Sequence, residues 1–187
     1  MGRYGMSYAI NLYFNEEAEQ SIMRLWESLA LLNLGKCMSC TNGRPHITLA
    51  IYNDLDLTKA QEILGTLAQA VPSFELVFLQ VGIFPLHKGT IFLTPNLTHD
   101  LFQVHGMLHA ALAAWQEQGW DYYKPQIWHP HCTLSMETAV EDIPKVLGEI
   151  LKDFRSIEVM IESIGIVSLD PIEYLGEFPL SGSPSPA

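Results

Sequence analysis

The chain has 187 residues, 48% hydrophobic and 17% charged, a balance that can bury a core and excludes a disordered chain. Its net charge of −11 comes with ten Lys and Arg scattered along the chain, which excludes an extended nucleic-acid track. No apolar run approaches the ~20 residues needed to cross a bilayer. The opening MGRYGMSYAINLYF has no signal-peptide core, and Met6 stands where myristoylation needs Ser or Thr. A cytoplasmic monomer with no membrane partner is expected.

In chain order, the apolar spacing predicts a strand over 7–14 and a helix over 16–34, with Ala18, Ile22, Leu25, Trp26 and Leu29 on one face. A strand over 45–52 follows. A helix over 59–71 is expected to open on a capping box of Thr58 and Gln61. A strand over 73–83 closes this half. The same order then returns: strand 89–94, helix 97–118, strand 130–137, helix 143–153 with Pro144 in its first turn, and strand 157–168. A last strand over 173–179 forms a hairpin with it. The tail SGSPSPA reads as frayed, which leaves residues 1–180 as one bilobal domain and 181–187 as a flexible end.

The two halves match in residues as well as order. Phe74-Glu75 aligns with Ile157-Glu158, and Val81-Gly82-Ile83 with Ile164-Gly165-Ile166, at an offset of 83. His46 aligns with His131 and Thr48 with Thr133, at an offset of 85. An internal duplication accounts for this. The expected fold is α+β: two β-α-β-α-β units related by a pseudo-twofold, with antiparallel-rich sheets around a central cleft.

Side chains two apart on a strand share a face. His46 and Thr48 therefore look one way, as do His131, Thr133 and Ser135, while the apolar faces pack on the helices of their own lobe. A pseudo-twofold would bring the two polar faces into one cleft. Two histidines and two threonines suit phosphodiester chemistry. Opening a cyclic phosphate needs a base to activate water and an acid to protonate the leaving oxygen, and imidazole serves either role. The hydroxyls can donate to the non-bridging oxygens. Neither a metal nor a cofactor is required by this set.

Other residues carry weaker signals. Asn11 and Tyr13 alternate on the first strand and Thr90 and Phe92 on its repeat-mate; Asn11, Tyr13, Thr90 and Arg44 are the candidate substrate contacts, and Phe92 reads as strand packing. Arg44 and Lys124 are the basic residues nearest the motifs. His129 reads as a groove-edge residue, His105 and His109 as exposed positions on a helix, and His87 as part of a surface turn. Cys37 and Cys40 form a CxxC that follows a helix, so neither a redox motif nor a zinc site is expected, and Cys132 reads as a core thiol.

On Pro45-His46-Ile47-Thr48-Leu49 and Pro130-His131-Cys132-Thr133-Leu134, the chain resembles the 2H phosphoesterase superfamily, and within it the bacterial 2′-5′ RNA ligase / RNA 2′,3′-cyclic phosphodiesterase branch. Val81-Gly82-Ile83-Phe84-Pro85 and Tyr174-Leu175-Gly176-Glu177-Phe178-Pro179-Leu180 add to the resemblance, which spans nearly the whole chain. It implies a metal-independent, cofactor-free phosphodiesterase. His46 and His131 become the acid–base pair, and Thr48 and Thr133 the phosphate-holding hydroxyls. The implied partner is a small cyclic phosphate ester or the 2′,3′-cyclic phosphate end of an RNA. Joining RNA ends through a 2′-5′ bond in the same site, or non-catalytic binding of a phosphate or RNA end, are the alternatives. Leu134-Ser135-Met136-Glu137 departs from the basic residue that many RNA-branch members carry after the second motif.

Overall fold

Alternating apolar residues form seven strands among the residues described by the computed structural model, which are 6–36, 38–86 and 89–182. They are β1 (Ser7–Phe14), β2 (Ile47–Asn53), β3 (Phe74–Phe84), β4 (Thr90–Pro95), β5 (Cys132–Ser135), β6 (Ile157–Leu169) and β7 (Ile172–Pro179). Four α-helices accompany them: α1 (Glu16–Ala30), α2 (Leu57–Ala70), α3 (His99–Ala111) and α4 (Ile143–Asp153). The strands make one antiparallel sheet in the order β2-β1-β6-β3-β4-β5, with β7 also on β6.

The register carries the duplication. Phe74 pairs with Ile161 and Phe78 with Ile157, so a shift of 83 residues turns each pair into the other. The pseudo-twofold axis therefore passes between Leu76 and Val159, which face each other. Asn15 and Asn96 staple the two sides alike. Asn15 accepts from Met160 N (2.9 Å) and donates its own N–H to Met160 O. Asn96 accepts from Val77 N (2.7 Å) and donates to Val77 O.

One apolar face of the sheet is buried under the helices, with Ile10, Leu12, Ile47, Leu49, Leu93, Leu134 and Ile161 in a common core. The helices do not serve their own halves, as the sequence suggested. Helix α1 packs on β5 of the second half, while α3 and the turns after it pack on β2 of the first. The halves thus exchange their first helices.

Three further expectations are corrected. Helix α2 opens at Leu57, and its cap is Asp56, whose carboxylate accepts from Lys59 N (3.2 Å). Gln61 instead donates to the carbonyl of Leu175 (2.6 Å). Helix α3 stops at Ala111, because the chain beyond it turns back to the free edge of β2. There Trp120 N donates to Ile51 O (2.8 Å) and Gly119 bridges Tyr52. Helix α1 likewise ends at Ala30, in a turn.

His105 and His109 are not exposed. His105 is 2% exposed, stacks on Trp128 (centroids 3.8 Å, planes 3° apart) and donates from Nε2 to the carbonyl of Tyr123 (2.9 Å). The returning loop that shortens α3 covers it. Burial pushes its pKa down to about 4, and His109 beside it adds to the effect. The unfolded chain then binds a proton near pH 6.5 that the folded chain refuses until about pH 4. Stability is expected to be full above pH 6.5 and to fall by up to ~3 kcal/mol as pH drops through that window. Urea midpoints measured from pH 7 to 4 would check this, with His105→Gln flattening the decline.

Candidate active site

Both His-x-Thr motifs sit at a break in the ladder. Ile10 pairs with Ala50 and Asn11 with Thr48, leaving Leu49 as the extra residue. In the second half Ile91 pairs with Ser135 and Phe92 with Thr133, leaving Leu134. Matching bulges thus aim the motifs, a use bulges commonly have. The bulge also ends the simple alternation. Ser135 does not accompany Thr133; it is buried 2.9 Å from Thr138 Oγ1 and shares a small cavity with Leu134, Trp26 and Gly35.

The histidines are held identically. His46 Nδ1 lies 2.6 Å from the carbonyl of Arg44, and His131 Nδ1 lies 2.7 Å from the carbonyl of His129. A carbonyl only accepts, so Nδ1 carries the proton in each neutral ring and Nε2 keeps its lone pair. Burial lowers both pKa values below the ordinary 6.5; the carbonyl contacts oppose this, and charge on His46 lowers His131 further.

The surroundings differ between halves. Around the first motif they are polar. Asn11, 2% exposed, accepts from Thr48 Oγ1 (3.0 Å) and donates to Tyr13 Oη (3.3 Å). The Tyr13 ring lies edge-on to His46 at 6.3 Å. Arg44 stacks on Tyr13 at 4.2 Å and is bound by two carboxylates: Nε and Nη2 donate to Glu19 Oε1, and Nη1 to Glu177 Oε2 (2.8 Å). Burial raises the pKa of Glu19 against the pull of Arg44. Ser163 holds the other oxygen of Glu177 (2.5 Å). The Arg44 side chain is thus committed to this network.

Around the second motif the surroundings are aromatic. Phe92 occupies the place that Asn11 holds in the first half, since each faces its motif threonine. Its ring, 2% exposed, packs 5.1 Å from His131 and 5.8 Å from His129. Phe84 stacks with Phe92 at 4.2 Å and lies edge-on to His131 at 5.2 Å. Gly82 and Gly165 permit these rings: a Cβ on Gly82 would come within 2.3 Å of Phe92, and one on Gly165 within 2.6 Å of Tyr13. Thr90 is half-buried and pairs with Phe84, two residues from Phe92.

Asn11, Tyr13 and Arg44 are therefore gathered at the first motif, and Thr90 near the second. Lys124 is paired with Asp121 (2.6 Å). His129 is exposed at the edge of the aromatic cluster. Phe84, Glu19, Glu177 and Ser163 went unnoticed in the sequence; only the position of Phe84 and Glu177 inside the resembling segments pointed to them. Among the described residues no group of three His, Cys, Asp or Glu gathers to hold a metal. His87 and Cys37 lie outside the described residues; Cys40 is disulfide-bonded, and Cys132 is a buried free thiol. No helix among the described residues is long and apolar enough to cross a membrane.

The model of the 2′-5′ RNA ligase superfamily matches residues 17–172. The chain belongs to this superfamily. Its fold is shared with E. coli LigT in apo form, at 17% identity and a TM-score of 0.65 over 94% of this chain and 98% of that one. It is shared as well with TT0787 of Thermus thermophilus, at 16% and 0.66 over 95% and 99%. A crystal structure described as a phosphoesterase gives 17% and 0.66 over the same shares. The comparison with curated proteins gave no match.

Proposed function

We propose that the chain is a metal-independent cyclic phosphodiesterase that opens a 2′,3′-cyclic phosphate on an RNA end or a small nucleotide. The observation that carries this reading is the matched anchoring of the two imidazoles, Nδ1 on a carbonyl and Nε2 free, at equivalent bulges. One Nε2 takes a proton from water as its oxygen attacks phosphorus. The other Nε2–H gives a proton to the ribose oxygen as its bond to phosphorus breaks. One water is consumed and a ribose phosphomonoester and a hydroxyl result. Thr133 donates to a non-bridging oxygen and meets the charge that builds there, and Thr48 does the same by turning its one hydroxyl hydrogen from Asn11 Oδ1 to the phosphate.

The aromatic half offers the half-buried Phe84, backed by the buried Phe92, as a face for a base, and stacking of this kind is worth ~1–3 kcal/mol. Because Arg44 is already balanced by Glu19 and Glu177, a substrate with a single phosphodiester charge suits the groove better than a polyanion. LigT has been solved with 3′-AMP and with phosphate, ligands of this chemical class. Joining of 2′-5′ ends would use a ribose hydroxyl in place of water in the same site.

The test is hydrolysis of a nucleoside 2′,3′-cyclic phosphate, with and without chelator, across pH. Turnover unaffected by chelator is expected, and its loss would count against the reading. The mechanism needs one neutral and one protonated imidazole, and both pKa values lie below 6.5 in the free protein. Above that range both rings are neutral and the acid is missing. The rate at low substrate, kcat/KM, is therefore expected to peak below pH 6.5 and to fall as pH rises. The alkaline limb of kcat should lie higher, because the bound phosphate charge favours the imidazolium. An alkaline optimum in kcat/KM would contradict the assignment.

A further inference from the structure

Two indoles meet the motif threonines from behind. Trp26 of α1, 2% exposed, donates from Nε1 to the carbonyl of Thr133 (2.9 Å). Trp128, 7% exposed, donates from Nε1 to the carbonyl of Thr48 (3.0 Å). Each bond reaches the residue beside the bulge, where the regular ladder is interrupted. Each also crosses the pseudo-twofold: a tryptophan from the first repeat holds the motif of the second, and one from the second repeat holds the motif of the first.

The duplication does not explain this pair. The positions that correspond to Trp26 in the second repeat, 107–109, hold Met107, Leu108 and His109, and the position corresponding to Trp128 in the first is Gly43. The two tryptophans are not repeat-mates, yet they end on equivalent carbonyls. A buried indole needs some acceptor, but that need alone does not select the same atom twice. Trp128 is itself fixed by the His105 ring stacked on it.

We infer that Trp26 and Trp128 are positioning residues for the proposed phosphodiester reaction, crossed clamps that set the heights and separation of the Thr133 and Thr48 hydroxyls. The inference rests on the proposed function. A bulge leaves one residue out of the ladder and bends the strand there, and small misplacements of groups that act in the transition state are costly in rate. An indole N–H on the threonine carbonyl fixes the backbone at that point without engaging the hydroxyl.

The test replaces Trp128, and separately Trp26, with β-(3-benzothienyl)alanine, which keeps the fused ring but has sulfur in place of the N–H. W128F and W26F are made alongside. With a nucleoside 2′,3′-cyclic phosphate, kcat is expected to fall ~5–20-fold in each variant while KM stays within ~2-fold, the pattern of an interaction realised in the transition state. The decisive arm is a double-mutant cycle. T48A should cost less rate in W128F than in the wild type, whereas T133A should cost the same in both, and the reverse should hold for W26F. A merely structural tryptophan would not tell the two threonines apart. An unchanged kcat in the benzothienyl variants, or equal coupling to both threonines, would overturn the inference.

Should the wild type turn over no cyclic phosphate, the proposed function fails and the clamps are judged by binding. Affinity for a nucleoside–vanadate, a trigonal-bipyramidal phosphorus mimic, should weaken ~5–20-fold in the same variants. Unchanged affinity would overturn the clamps on their own.

Discussion

Replacing His131 with alanine is expected to lower kcat on a nucleoside 2′,3′-cyclic phosphate by ~10²–10⁴-fold, and His46→Ala by a similar factor. Both rings expose the same nitrogen, so neither loss should be partial on a natural leaving group. Acid and base act in one step, so the double variant should be little worse than either single one. The leaving group separates the roles. With a p-nitrophenyl phosphodiester the departing oxygen needs no proton, so the variant lacking the acid should recover much of its rate and the variant lacking the base should not. Folding should survive, since each ring is half-buried and the side chain's anchoring bond is to a local carbonyl two residues away. Circular dichroism and urea midpoints would check that. If either alanine variant keeps wild-type turnover, the paired-histidine assignment is lost. Phosphate binding without turnover in the wild type would favour a binding protein of this fold.

The strands were legible because their pattern is local. SYAINLYF and PHITLAIY alternate, and the repeat supplied a second reading of each element. The motifs were legible for the same reason, because His-x-Thr recurs at equivalent places. What failed was set by distant partners. Arg44 reads in sequence as a candidate substrate contact, and nothing local shows its carboxylate partners: Glu19 lies 25 residues before it and Glu177 133 after it. Alternation showed which side Phe92 took, and not that His131 and His129 lay there. It failed outright at Ser135, because one inserted residue at Leu134 reverses the count. His105 and His109 have the spacing of a solvated face, and only the loop that carries Tyr123 and Trp128 buries them. The exchange of α1 and α3 between halves left no local mark at all.

That exchange bears on how the site is built. A cleft between two independent lobes would open and close as the lobes moved. Here β3 and β6 pair across the axis, and each half's first helix lies beneath the other half's motif strand. The two motifs are therefore held by one continuous sheet and by helices that each span the axis. The proposed in-line displacement needs its acid and base on opposite sides of phosphorus at a fixed spacing, and a framework joined across the axis in this way would hold such a spacing without lobe closure.

Within it the two threonines are chemically alike but differently supported, and their alanine variants should show it. Thr48→Ala and Thr133→Ala are each expected to reduce kcat by ~10²–10³-fold, the usual loss for one donor to a developing oxyanion. Stability should separate them. Thr48 Oγ1 bonds Asn11, which is 2% exposed, so its removal leaves Asn11 Oδ1 buried without that donor and costs ~1–3 kcal/mol. Thr133 pairs with Phe92 across the ladder, and the atom that Trp26 binds is its carbonyl, which alanine retains. Thr133→Ala should therefore cost less than ~1 kcal/mol. Adding Asn11→Ala to Thr48→Ala removes the orphaned acceptor but also the donor to the buried Tyr13 Oη, so the double variant should lose less stability than the sum of the two single ones while leaving the rate as low as before. Urea midpoints and kcat on the wild type, the two threonine variants, Asn11→Ala and the double variant complete the comparison. Equal destabilisation by the two threonine variants would mean that the Asn11 bond contributes nothing. An unchanged rate in either would remove that hydroxyl from the phosphate site.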